Sequence, residues 1–179
     1  MNARVKLAVA VAVTGAMAVA GTAAIAGGGA RDFGTVLTGY EEVPAVSTMG
    51  VGAFRADVTR SGNGFAYKLR YTGLEGDVLQ AHIHLAQKSV NGGISVFLCS
   101  NLPDPPAGTP ACPPPPATVT GTIDAADVIG PTGQGIAPGE LAELIRAIRA
   151  GVTYANVHSS KFPGGEVRGQ VRALDDDDD

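Results

Sequence analysis

Apolar and polar residues alternate along most of the chain, and this alternation predicts short β-strands. The segment from Ala53 to Thr59 alternates with a period of two residues, and the segment from Phe65 to Tyr71 does the same. The residues between them, Ser61-Gly62-Asn63-Gly64, have the glycine and asparagine content that tight hairpin turns need. The two segments therefore predict a β-hairpin.

Further strand-like segments follow at similar spacing. "RDFGTVLTGYEEVPAV" predicts a strand that enters a turn at Gly39, "DVLQAHIHLA" and "GGISVFLC" predict a second hairpin, and "ATVTGTI" predicts another strand. Many short strands with turn residues between them are typical of antiparallel sandwiches and barrels. We therefore predict a mainly β fold, an antiparallel, Greek-key-like β sandwich or barrel.

One segment, about residues 138 to 150, has the apolar spacing of a helix instead. Its apolar side chains recur at i, i+3, i+4 and i+7, Pro138 stands near its start and Gly151 ends it. We predict an amphipathic helix whose apolar stripe packs against the sheet, and a short helical turn at residues 124 to 129. The stripe consists of Leu141, Leu144, Ile145 and Ile148.

The first 26 residues have the features of a secretory signal peptide. Arg4 and Lys6 precede an apolar run, and Ala24-Ile25-Ala26 fits the small-residue cleavage pattern, with an earlier alternative at Ala18-Val19-Ala20. The apolar stretch from Leu7 to Ala26 is also about long enough for a membrane anchor. Alanine and glycine dominate it, however, which favours a signal peptide and hence an exported, secreted, periplasmic or cell-surface protein.

Cleavage would leave one domain, residues 27 to 174, followed by the acidic tail 175 to 179. The formal net charge of −4 would become −6, and five of the 17 acidic residues lie in that tail. Without a basic patch we expect no nucleic-acid partner, and no membrane contact once the signal peptide is removed. A block of like charges repels itself, which predicts a disordered, solubilising end; a weak calcium or mineral contact is the alternative.

Both cysteines flank a proline-rich segment. Eight of the twelve prolines lie between Pro103 and Pro116, and proline cannot pair within a central strand, so this segment predicts a surface loop. In an oxidising compartment, Cys99 and Cys112 are placed to close that loop with a disulfide. A metal site at the two thiols is the alternative, although they lack C-x-x-C spacing.

Several motifs occur in the order found in one known family. They are "LTGYEEVPAV", "AHIH" followed by "NGG", "FLCSN", "GELAELIRAIRAG" and "YANVHSSKFPGGEVRGQV". In this order they resemble a CHRD domain, a module first described in chordin, a secreted antagonist of bone morphogenetic proteins, and widespread in bacterial exported proteins. The resemblance covers essentially the whole chain after the signal peptide. It implies an extracellular, mainly β module.

The chain has three histidines, and all of them lie in these motifs. Side chains alternate along a strand, so His82 and His84 share a face with Gln80, and His158 shares a face with Asn156. Each histidine segment is followed by a Gly-Gly turn and a returning strand. If the two hairpins are neighbours in the sheet, the three imidazoles converge.

Three neutral imidazoles are suitable ligands for copper or zinc, with a fourth position for water or a carboxylate. Glu42 and Glu166 are the candidates to supply that carboxylate, either as a fourth ligand or as an acceptor for a histidine N–H. Arg168 lies on the predicted polar face as well, and a cation there would oppose metal binding.

A structural interpretation of the same residues is the alternative. Polar side chains on one face are typical of a half-exposed antiparallel sheet. In that case the histidines bond to Glu166, Asn156 or backbone carbonyls, and Arg168 pairs with Glu166.

For function, we expect an exported, non-catalytic CHRD binding or structural module whose partner is an unidentified extracellular or envelope protein. The alternative is an extracytoplasmic copper- or zinc-binding protein that uses the three histidines. A metalloenzyme is more remote, because three imidazoles are too few for a dinuclear dismutase, and no general base or G-x-S-x-G nucleophile elbow is evident. We expect the following aromatic residues in the core or in cross-strand pairs, not on a binding surface: Phe33, Phe54, Phe65, Tyr67 and Tyr71.

Overall fold

A computed structural model describes residues 30 to 174, which form a nine-stranded, antiparallel, nearly closed sheet. The predicted signal peptide and acidic tail lie outside the described residues. The strands are β1 (Asp32–Thr38), β2 (Val51–Val58), β3 (Phe65–Thr72), β4 (Val78–Leu85), β5 (Gly93–Ser100), β6 (Ala117–Ile123), β7 (Thr153–Ser159), β8 (Val167–Gln170) and β9 (Arg172–Ala173).

The strand order is β5-β4-β7-β8-β1-β2-β3-β6, with β9 paired to β1. Strands β1 to β3 form a meander, while β4 and β5 form a hairpin on the far side that β7 and β8 connect back to β1. The edge strands β5 and β6 approach each other, and the Tyr67 hydroxyl on β3 donates to the Leu98 carbonyl on β5 at 2.6 Å. The predicted Greek-key-like, barrel-like β fold is confirmed.

Both predicted hairpins are present, with strand ends one or two residues from the predicted ones. In the first hairpin, Val58 pairs with Phe65 beside the predicted turn. The five aromatic residues predicted for the core or cross-strand pairs are all buried. Apolar side chains of alternate strand positions therefore fill the interior of the barrel, as the period of two predicts.

Helix α1 (Leu141–Arg149) is shorter than predicted at its start. Gly139 has φ +87°, so the chain still turns there, and the Glu140 carboxylate accepts a hydrogen bond from the Ala137 N–H at 2.8 Å. Gly151, with φ +68°, follows the helix end as predicted. The residues of the apolar stripe are all buried in the core: Leu141, Leu144, Ile145 and Ile148. Among the residues from 30 to 174, no helix is long and apolar enough to cross a membrane.

The predicted helical turn before α1 is a 3-10 helix at Ala125–Asp127. Asp124 accepts a hydrogen bond from the Ala126 N–H, and Asp127 accepts one from the Asp124 N–H, so the two carboxylates form a capping box.

A disulfide between Cys99 and Cys112 closes the proline-rich loop, which confirms that prediction. The side chain of Asn101 strengthens the closure, because it donates to the Cys112 carbonyl at 2.8 Å and accepts from the Cys112 N–H at 3.0 Å. The Tyr71 hydroxyl donates to the Pro113 carbonyl at 2.6 Å. The loop is thus fastened to the open side of the barrel by one covalent bond and several hydrogen bonds.

We expect removal of the disulfide in a Cys99→Ala/Cys112→Ala variant to lower the free energy of unfolding by about 3 kcal/mol, because the unfolded chain gains loop entropy. Urea denaturation of the oxidised wild type and the double variant measures the difference. Reductant should destabilise the wild type and leave the variant unchanged. Equal midpoints for oxidised wild type and variant would contradict a stabilising role.

Candidate functional site

The three histidines lie on two neighbouring strands, β4 and β7. In this antiparallel pair His82 is opposite Asn156, His84 is opposite Tyr154, and His158 is opposite Gln80. His82 and His158 are therefore diagonal neighbours across the strands. One ring nitrogen of each histidine lies within 4.8 Å of the others, so the predicted convergence is present.

The face that carries the histidines is buried. His82 is 0% exposed, and His84 and His158 are each 7% exposed. Two loops contact the imidazoles, 86–92 through Gly92 and 160–166 through Pro163. A third loop, residues 39–50, contacts both of them and completes the cover. The expectation of a half-exposed polar sheet is wrong, because alternation within a strand does not show which loops fold over it.

Hydrogen bonds between these loops hold the cover in place. Lys88 forms a salt bridge with Glu41 at 3.1 Å, and the Asn91 amide donates to the Val43 carbonyl at 2.9 Å. Both contacts join the 39–50 loop to the 86–92 loop. The sheet face and its cover thus make a second, polar interior outside the barrel core.

Backbone carbonyls fix the orientation of two imidazoles. His84 Nδ1 lies 3.0 Å from the Gly92 carbonyl oxygen, and His158 Nδ1 lies 3.0 Å from the Pro163 carbonyl oxygen. Because a carbonyl oxygen only accepts, each Nδ1 carries the hydrogen and each neutral ring has its lone pair on Nε2. This is the arrangement by which proteins orient metal-ligating histidines.

The remaining ring nitrogens are short of hydrogen-bond partners. His82 Nδ1 lies 3.2 Å from His158 Nε2, and the lone pair on His158 Nε2 makes His82 the donor. His82 Nε2 and His84 Nε2 are buried and have no partner among the described residues. The cluster therefore contains two buried lone pairs that the surrounding protein does not satisfy.

The Gly-Gly pairs after the histidine strands are needed for close approach as well as for turning. A Cβ at Gly92 would lie 1.8 Å from the Leu85 carbonyl oxygen, so a side chain would displace the loop that holds His84. Gly165 has φ +130°, and a Cβ there would lie 2.5 Å from a carboxylate oxygen of Glu42. Both glycines let the covering loops lie against the site.

Aromatic rings hold the imidazoles from the sides. Phe97 packs edge-on against His82, with ring centroids 4.4 Å apart. Tyr154 stacks on His84 at 4.6 Å, and the Arg168 guanidinium lies 3.3 Å from the centre of the Tyr154 ring. Since β7 lies between β4 and β8, Tyr154 separates the Arg168 cation from His84.

Arg168 is 2% exposed, and its hydrogen bonds go to the 86–92 loop. Its guanidinium donates to Asn91 Oδ1 at 2.9 Å and to the Val90 carbonyl at 2.6 Å. Within the described part of the chain, Arg168 forms no salt bridge with Glu166, so the predicted pairing of these two residues is wrong. The guanidinium is instead held by a loop that comes from a distant part of the sequence.

The two candidate carboxylates occupy different places. Glu166 is fully buried, and its Oε1 accepts from Thr48 Oγ1 at 2.7 Å and from the Glu75 N–H at 2.8 Å, which fastens the 39–50 loop. Glu42 is buried beside Gly165, and its Oε1 has no partner among the described residues. The group of metal-capable side chains within 4.8 Å of one another contains the three histidines and neither glutamate.

Burial sets the protonation of the cluster. Desolvation, with repulsion from the neighbouring imidazoles, lowers the pKa of His82 to about 2. Desolvation also lowers the pKa of His84 to about 4 and lowers the pKa of His158. Burial raises the pKa of Glu42 to about 7, against the opposing effect of Arg168. At neutral pH the imidazoles are therefore neutral, the form that binds metals.

No sequence pattern predicts some residues of the site. Phe97 gives no signal, because bulges in the β4–β5 pairing decide that it lies opposite His82. Gly92 and Pro163 belong to motifs visible in the sequence. Every residue has a backbone carbonyl, however, so the sequence does not show which carbonyls accept hydrogen bonds from the histidines. Tyr154, in contrast, shares the period-two face with Asn156 and His158 and is visible as a neighbour.

The fold and the site thus describe a mainly β module that is closed by a disulfide and contains a buried histidine cluster. The model of the CHRD domain family matches residues 33–171, and the chain belongs to that family. Comparison with curated proteins and with solved structures gives no match. CHRD domains are extracellular and the family suggests a binding or structural module; the disulfide is consistent with secretion.

We expect the metal-free protein to lose stability as the pH falls below about 6.5, the ordinary histidine value. Because folding lowers the pKa of these imidazoles, the unfolded chain binds more protons over that range, and acid favours unfolding. Glu42 has the opposite effect on stability between pH 4.5 and about pH 7, because folding raises its pKa. The three imidazoles outweigh this single carboxyl.

Urea denaturation of the metal-free protein from pH 7.5 to pH 5, together with NMR titration of the imidazole ring signals, measures this effect. All three histidines of the chain belong to the cluster, so every ring signal reports on it. A ring that titrates in the folded protein near its ordinary pKa would contradict the buried, neutral cluster.

Proposed function

We propose that this chain is an exported, non-catalytic metal-binding module that holds one copper or zinc ion with His82, His84 and His158. The observation that carries the proposal is the orientation of the rings. Two carbonyls hold the Nδ1 hydrogens of His84 and His158, which leaves both Nε2 lone pairs for the centre of the cluster. Imidazole nitrogen is a good ligand for both metals.

The distances fit a single ion after a small adjustment. Nitrogen ligands bound about 2.0–2.1 Å from one ion lie roughly 3.3–3.5 Å from each other. The nitrogens of His82 and His158 are already 3.2 Å apart. The ligand atoms lie within 4.8 Å at most, so His84 needs to shift by no more than about 1.5 Å to reach the bonding distances.

The unsatisfied lone pairs favour a ligand over a purely structural network. A buried polar atom without a partner costs roughly 1–3 kcal/mol, and structural networks normally satisfy theirs. Here His82 Nε2 and His84 Nε2 are both without one among the described residues. An ion bound by His84 Nε2, His158 Nε2 and His82 Nδ1 would supply the missing partner for His84 and replace the His82–His158 contact with two bonds to metal. The His82 hydrogen would then move from Nδ1 to Nε2, so the gain of a partner applies to His84 alone.

The burial supports binding more than catalysis. His82 is fully buried and the other two imidazoles nearly so, and three hydrogen-bonded loops lie over the cluster. A substrate would reach an ion there only after those loops separate. An extracellular or envelope protein partner stays a prediction from the sequence.

We expect the wild-type protein to bind one equivalent of copper or zinc, and His158→Asn to weaken the affinity by at least about 100-fold. The asparagine amide can still donate to the Pro163 carbonyl, but it offers no nitrogen lone pair for an ion. His84→Asn is the matched second variant, since its amide can donate to the Gly92 carbonyl. Metal titration with elemental analysis measures the affinity and stoichiometry.

Two controls make the result specific to the cluster. Deletion of residues 175–179 from every protein removes five carboxylates as competing ligands for cations. Unfolding midpoints of the metal-free variants show whether the fold is intact. Binding of wild-type strength in both folded asparagine variants would overturn the proposal, and so would a folded wild type that binds neither metal.

A further inference from the structure

The charges around the cluster restrict which ion it accepts. The three ligands are neutral imidazoles, and no thiolate or carboxylate of the described residues belongs to the group. Arg168 is a cation whose charge acts on His84, and it lies on Tyr154 where that ring stacks on His84. Glu42 is the acidic side chain that interacts with Arg168, and burial raises the pKa of Glu42 to about 7, so at neutral pH the pair carries a net charge between 0 and +1.

A buried ion in such surroundings is sensitive to its own charge. The free energy of moving an ion from water into a low-dielectric interior rises with the square of its charge. Repulsion by the Arg168 guanidinium adds a contribution proportional to that charge. A divalent ion therefore loses far more hydration free energy than a monovalent ion on entering this site. Neutral ligands do not offset that loss, because they carry no negative charge.

The number of ligands points the same way. Zinc with three imidazole ligands takes a fourth ligand such as water, and Cu(II) favours a tetragonal arrangement of at least four ligands. The cluster supplies three nitrogens, and the sides of two rings are occupied by Phe97 and Tyr154. Cuprous ion has a closed d shell with no tetragonal preference and is stable with two or three nitrogen ligands.

We infer that the ion of this site is monovalent copper, and that the site binds Cu(I) more tightly than Cu(II). The inference rests on the proposed metal-binding function and adds the oxidation state and its cause. Arg168 acts here as a selectivity residue: it touches no ligand nitrogen, and its charge acts across the Tyr154 ring.

The test compares the two oxidation states of one metal on the folded, tail-deleted protein. Cu(I) affinity is measured without oxygen by competition with bicinchoninate, and Cu(II) affinity by competition with glycine and by electron paramagnetic resonance. We expect the Cu(I) affinity to exceed the Cu(II) affinity by at least about tenfold. Each factor of ten in the ratio of Cu(I) affinity to Cu(II) affinity raises the reduction potential of bound copper by about 59 mV above that of the free Cu(II)/Cu(I) couple.

Two neutralising substitutions should shift the affinity ratio in opposite directions. Arg168→Met removes the cation while an unbranched chain still lies against Tyr154, and it should lower the ratio of Cu(I) to Cu(II) affinity by about tenfold. Glu42→Gln removes the acidic group and should raise the ratio. Arg70→Met makes the same change on the exposed face of β3 and should leave the ratio unchanged.

The outcomes separate this inference from the proposed function. Absence of binding in both oxidation states would overturn the proposed function itself. Tight binding of Cu(II), equal to or stronger than that of Cu(I), would leave a metal site in place and overturn the assignment of monovalent copper. A ratio that Arg168→Met does not lower, in a folded variant, would overturn the role of the Arg168 charge.

Discussion

The antiparallel pairing of β4 with β7 is the constraint on which the rest of the site depends. Its register sets His82 diagonal to His158 and leaves Asn156 and Tyr154 between the histidines and Arg168. Because side chains alternate along a strand, a shift of one residue would send His158 into the apolar core and separate the imidazoles. Ile83, between His82 and His84, and Val157, next to His158, prevent that shift because both are fully buried on the apolar face.

Both faces of the sheet are buried where β4 pairs with β7, but by different means. Apolar side chains fill the inside of the barrel, whereas loops with fixed hydrogen bonds cover the polar face outside it. Glycines allow the loops to approach, Glu166 fastens one of them, and carbonyl oxygens orient two imidazoles. Burial then keeps the histidines neutral, so the packing that builds the cluster also sets its chemistry.

A cation beside three histidines would repel a metal ion. The structure places a tyrosine ring between the Arg168 guanidinium and His84, and places Glu42 where it interacts with that guanidinium. The charge is thus close enough to act on an ion and too far to displace a ligand. If the cluster holds a metal as proposed, a cation in this position would select against higher charge on the bound ion instead of excluding every ion.

The sequence by itself determined the fold class, the hairpins, the apolar helix stripe and the disulfide, because each follows from local periodicity, turn residues or two cysteines. It also determined that His82 and His84 share a face. Tertiary structure alone decided the strand neighbours, the bulges that bring Phe97 to His82, and the loops that bury the site. The reason is that strand order and loop cover arise from contacts between residues far apart in the chain, which no local pattern encodes.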